Sequence, residues 1–141
     1  MAKLLPVNKL LSRMNQPIVA LVCGNGLSRG EVLNIVFHYL EVHCPENQEK
    51  YVGGGSPVFY YESSQRPHKV PVTKRTKPMG DILLDLENCI MPLAHDHDLQ
   101  WYEILTLIDS RIQQKCPQAI ESKSRWYYGP KEGLSKFKRN K

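Results

Sequence analysis

Among the 141 residues, the run His95-Asp96-His97-Asp98 is the one most suggestive of chemistry, because two imidazoles alternate with two carboxylates. Such side chains bind zinc and other divalent ions, and Asp85, Glu87 and Glu103 stand nearby in sequence. A metal-dependent enzyme at this loop is therefore one reading. A cheaper use is structural: an aspartate at position 96 or 98 caps the N-terminus of a following helix, where the dipole favours a negative charge. Gly53-Gly54-Gly55-Ser56 lacks the Lys-Ser/Thr continuation of a phosphate-binding loop and reads as a turn. Cys23, Cys44, Cys89 and Cys116 form no CxxC pair or dense framework and read as reduced, mostly buried thiols. No nucleophile elbow or Cys-His arrangement is present. The expectation is a non-enzymatic chain with no catalytic residue, no metal site and no cofactor.

Charge gives a more specific lead. The net charge of +5 is unevenly distributed. Residues 62–78 hold Arg66, Lys69, Lys74, Arg75 and Lys77 against Glu62. Residues 125–141 hold Arg125, Lys131, Lys136, Lys138, Arg139 and Lys141 against Glu132. What remains is acidic. Each basic arm follows an aromatic head, Phe59-Tyr60-Tyr61 in one case and Trp126-Tyr127-Tyr128 in the other. Lys and Arg neutralise phosphates and release counterions, while Tyr and Trp stack on bases, so DNA or RNA is the expected partner. The candidate contacts are these cations other than Lys141, together with Trp126 and Tyr127. The second helix of each pair described below is not basic enough for a groove-reading recognition helix, which assigns contact to the arms. The rival reading is a protein-binding adaptor or inhibitor that uses the acidic helical faces and the Tyr/Trp clusters as a docking surface.

The elements that must position these arms emerge when the chain is laid against itself with an offset of 72 residues. Leu11 falls on Leu83, Ile18 on Ile90, Leu21 on Leu93, Leu27 on Leu99, Glu31 on Glu103 and Cys44-Pro45 on Cys116-Pro117. With five residues fewer in the second copy, the two aromatic heads also align. Apolar periodicity alone accounts for the leucines but not for the shared Glu, Cys-Pro and aromatic-Tyr-Tyr in the same order.

In each copy, apolar residues recur at three- and four-residue steps: Leu10, Leu11, Met14, Ile18 and Leu21, then Ile82, Leu83, Leu86, Ile90 and Leu93. This predicts a first helix with one buried stripe, locally kinked or ended by Pro17 or Pro92. A polar loop precedes a second helix, from about Ser28 to His43 and from about Gln100 to Lys115. Its stripes are Val32, Ile35, Val36, Tyr39 and Leu40, and Ile104, Leu107, Ile108 and Ile112. Lys50 to Glu62 reads as a short hairpin around its glycines. Cys44 and Cys116, at equivalent helix ends, become candidates for proximity.

One such pair cannot bury both stripes, so the expected fold is mainly α. A tandem duplication of a helix-loop-helix unit forms a four-helix pseudo-two-fold core, with short extended or hairpin segments after each unit. A single domain spans 1–141, with repeat 1 at about 7–61, a basic connecting arm at 62–78, repeat 2 at about 79–128 and a basic tail at 129–141. Composition agrees, with 41% hydrophobic and 23% charged residues. No apolar run approaches the roughly 20 residues of a membrane span, and cytoplasmic residence is the expectation.

Overall fold

The computed structural model describes residues 5–49, 57–62, 78–117 and 125–130. Over these residues the protein is mainly helical. Helix α1 spans Val7–Asn25, α2 Arg29–His43, α3 Met79–His95 and α4 Trp101–Lys115, with strand β1 at Pro57–Glu62 and β2 at Arg125–Pro130. A 3₁₀ turn, Pro45–Asn47, follows α2. No described helix is long and apolar enough to cross a membrane.

The helix boundaries have local causes. Gly26 turns the chain out of α1 at φ 71°, in the left-handed region that costs glycine least. Leu27 N–H then bonds back to the Leu21 carbonyl at 3.1 Å. At the end of α3, Asp98 adopts φ 55°, a conformation that a short polar side chain tolerates. There Leu99 N–H reaches the Leu93 carbonyl, also at 3.1 Å.

Ser28 caps α2 in a reciprocal box: its Oγ accepts from Glu31 N–H at 3.3 Å while its own N–H donates to Glu31 Oε1 at 2.8 Å. Gln100 opens α4, its N–H donating to Glu103 Oε1 at 2.9 Å. The expected aspartate cap is thus corrected. Asp96 closes α3, Asp98 occupies the left-handed turn, and the capping position belongs to Gln100.

Both helices with internal prolines continue through them, α1 through Pro17 and α3 through Pro92. Neither proline ends its helix, which overturns the stop half of the kink-or-stop expectation, and packing is the reason. Met14, Ile18 and Leu21 flank Pro17 with no exposed surface, and their burial offsets a local cost of about 3 kcal/mol.

One core cluster draws on all four helices. Its largest fully buried members include Leu10, Met14, Ile18, Leu33, Leu40, Ile82, Leu86, Ile90, Ile104 and Leu105. The most extensive helix contact is between α1 and α3, and α4 packs on both α1 and α2. Leu33 and Leu105 are fully buried, whereas Ile35, Tyr39 and Leu107, expected in the stripes, are only half-buried. The second helices are covered over a wider arc than a single stripe predicts.

Two hydrogen-bonded clamps tie distant segments together. Asn47 Nδ2 donates to the carbonyls of Ala94 at 2.8 Å and Leu99 at 2.9 Å. Trp101 Nε1–H donates to the Cys44 carbonyl at 2.8 Å. Strand β1 makes a long-range pairing with β2, while residues 50–56, the first part of the hairpin expected over 50–62, lie outside the described residues.

Candidate nucleic-acid interface

Strands β1 and β2 form a two-stranded antiparallel ribbon. Pro57 stands opposite Pro130, Phe59 opposite Tyr128, Tyr60 opposite Tyr127, Tyr61 opposite Trp126 and Glu62 opposite Arg125. An isolated two-stranded ribbon is marginal in water, so its anchoring to the helices decides whether it persists.

At one end the anchor is aromatic. Phe59 stacks on Phe37 of α2 with ring centroids 5.1 Å apart. Phe37 in turn meets Trp101 edge-on at 5.6 Å and Tyr128 at 6.2 Å. Trp101 and Tyr128 are both buried.

At the other end the anchor is polar. Trp126 Nε1–H donates to Asp109 Oδ2 at 2.8 Å. The same carboxylate takes Arg29 in a fork, Nε to Oδ1 at 2.5 Å and Nη2 to Oδ2 at 2.9 Å, and also accepts from Gln113 Nε2 at 2.9 Å. Arg29 and Asp109 are 7% and 5% exposed, making this a buried ion pair. A charge so removed from water requires close pairing and further hydrogen bonds. Neither residue stood out in the sequence, because a single Arg and a single Asp on separate amphipathic helices resemble surface residues. The only available signal was that both fall on otherwise apolar helix faces.

The aromatic heads therefore act first as anchors. Trp126 is half-buried, its indole N–H committed to Asp109, its ring 6.3 Å from Phe59 and 6.2 Å from the half-exposed Tyr102. Tyr127, also half-buried, lies over Gly129: a Cβ added to that glycine would stand 2.8 Å from the Tyr127 hydroxyl. Arg125 stands in β2 opposite Glu62. The other expected contacts lie outside the described residues: Arg66, Lys69, Lys74, Arg75 and Lys77 in the connecting arm, and Lys131, Lys136, Lys138 and Arg139 in the tail. Their points of attachment are described. The connecting arm follows Glu62 and the tail follows Pro130, at opposite ends of the ribbon, roughly 17 Å apart for six residues of extended chain.

The His-Asp loop is engaged in local contacts. His95 Nε2 lies 3.0 Å from Glu46 Oε1, and His97 Nε2 lies 2.6 Å from the Leu5 carbonyl, which requires that nitrogen to carry the proton. Among the described residues no group of three or more His, Cys, Asp and Glu is arranged to hold a metal ion.

None of the four cysteines is in a disulfide. Cys116 is hydrogen-bonded to Cys23. Burial, with the Cys23 thiol hydrogen-bonded against it, pushes the Cys116 thiol up to about 11. Burial also raises Cys44, reinforced by Glu46. It raises Cys89 against the opposing pull of Arg13. These three thiols stay neutral at ordinary pH, which suits packing rather than nucleophilic attack. No family model, curated protein or solved structure matches this chain.

Proposed function

We propose that the protein binds nucleic acid through its two basic arms, and that a duplicated helical core holds those arms in fixed relation. The observation that carries this reading is the ribbon. By pairing the two aromatic heads, it starts the two arms at opposite ends of one anchored element. Two cationic segments launched about 17 Å apart are suited to contacting separate stretches of one phosphate backbone, which raises their effective concentration for each other.

The duplication is supported by features recurring at the same offset of 72. Left-handed turns fall at Gly26 and Asp98. Capping residues with a glutamate three positions on fall at Ser28 and Gln100. Cysteines close α2 and α4 with nearly equal backbone angles, φ −135° and ψ 49° against φ −136° and ψ 58°. The ribbon register fits a pseudo-two-fold axis through the Tyr60 and Tyr127 pair, because Phe59 with Tyr128 and Trp126 with Tyr61 then exchange. The anchors exchange as well: Arg29 with Asp109 becomes Trp101 with Phe37, and Trp126 on Asp109 becomes Phe59 on Phe37.

The test is anisotropy of labelled single-stranded and duplex oligonucleotides across a salt series. Binding should weaken steeply with salt, at about one unit of log–log slope per phosphate contacted. Ending the chain after Pro130 should reduce both affinity and slope. Absence of binding to either probe at low salt would overturn the reading.

A further inference from the structure

We infer that the groove between α1 and α4 is a second phosphate-binding surface, on the helical body itself, that seats the backbone of the same nucleic-acid strand the arms hold. This rests on the nucleic-acid reading above and adds Lys9, Arg13 and Arg111 as its contacts.

The groove has a volume of about 540 Å³ and is lined by Asn8, Lys9, Ser12, Arg13 and Arg111, so three cations face one space and no carboxylate is among the lining residues. Asn8 and Ser12 add neutral hydrogen-bond donors of the kind that accompany phosphate contacts. An adjoining cavity of about 370 Å³ shares Ser12 and Arg13 and brings in Asp85, Gln16 and Asn88.

Within α1 itself these cations are badly placed for stability. Lys9 is the third residue of α1, at the positive end of the helix dipole, in a first turn that carries no acidic side chain. Lys9 and Arg13 are four residues apart on one helix, where like charges repel. Across its whole length α1 has no carboxylate.

The repeat-related positions show the opposite sign. Adding 72 takes Lys9 to Asp81 and Arg13 to Asp85, both on α3, and takes Asn15 to Glu87. Arg111 corresponds to Tyr39, whose pKa is raised by burial and further by the Glu87 carboxylate. The charge sign of α1 is therefore inverted on α3 at these positions. The inversion serves the α1–α3 contact, where Arg13 and Asp85 line one cavity, whereas no described carboxylate lines the groove that Lys9, Arg13 and Arg111 share, and its field favours an anion there.

The experiment compares the full chain with K9Q/R13Q/R111Q in the same oligonucleotide titration. A benzophenone amino acid at position 12 gives a local readout through photo-crosslinking. The side chains replaced are exposed or half-exposed, so the circular dichroism melt should be retained. The expected result is affinity at least about tenfold weaker, a salt slope shallower by about two to three units, and a crosslink from position 12 to the oligonucleotide. D81N/D85N on α3 should not weaken binding. If the native chain binds but the triple variant has the same affinity and slope, the groove is overturned and the arms stand. If the native chain binds no nucleic acid, the function reading itself falls and takes the groove with it.

Discussion

Asp109 shows how much one side chain can organise. It accepts from Arg29, Gln113 and Trp126 while almost wholly removed from solvent, joining α2, α4 and β2 through a single carboxylate. Its removal takes the paired carboxylate from a buried guanidinium, and breaking a buried pair in this way typically costs about 3–5 kcal/mol. Asp109→Ala should therefore destabilise the fold by about that amount in urea denaturation. At an offset of 72 residues from this pair, Phe37 and Trp101 stand in edge-on contact, an apolar pairing. Replacing both members of the ion pair, as in R29M/D109L, should then cost much less than D109A alone. A double variant as damaged as the single one would show that the pair contributes more than the relief of its own desolvation.

At the level of elements, the sequence disclosed the helices better than what joins them. Periodicity, turn residues and the prolines after Cys44 and Cys116 placed α2 and α4 to within a residue or so, because those signals are local. The ribbon was not legible. Its partners are separated by 63 to 73 positions in the chain, and nothing in Phe59-Tyr60-Tyr61 distinguishes a distant partner from a near one. The ion pair was hidden for a related reason, since its members sit on different helices 80 residues apart. The charged groove needed the packing of α1 on α4 before Arg111 could join Lys9 and Arg13.

Strand β2 offers its own test. A methyl group at Gly129 meets the far end of the Tyr127 phenol, a group that can swing aside. Gly129→Ala should thus change stability by no more than about 1 kcal/mol while displacing Tyr127, visible as altered tyrosine fluorescence. A large loss of stability with an unmoved Tyr127 would mean that the ribbon backbone, and not the side chain, is the rigid part.

For the whole molecule, the distribution of packing makes a sharper statement than the existence of four helices. The principal helix contact runs between α1 and α3, whereas contacts within each helix pair, α1 with α2 and α3 with α4, are sparser. Each pair stands open and is closed by the other. Leu10, Met14 and Ile18 share one cluster with Ile82, Leu86 and Ile90, and the sheet requires one strand from each half. A fragment ending at residue 77 would expose its half of that core and one unpaired strand, and so would its complement from residue 78. Large exposed apolar faces without a partner cannot offset the entropy of ordering a chain. Each fragment alone should show weak helical circular dichroism and no cooperative melt, while an equimolar mixture should recover both, with a melting temperature that rises with concentration. Independent cooperative folding of either fragment would instead make the chain two domains side by side, with the pairing of β1 and β2 a late docking event rather than a condition of folding.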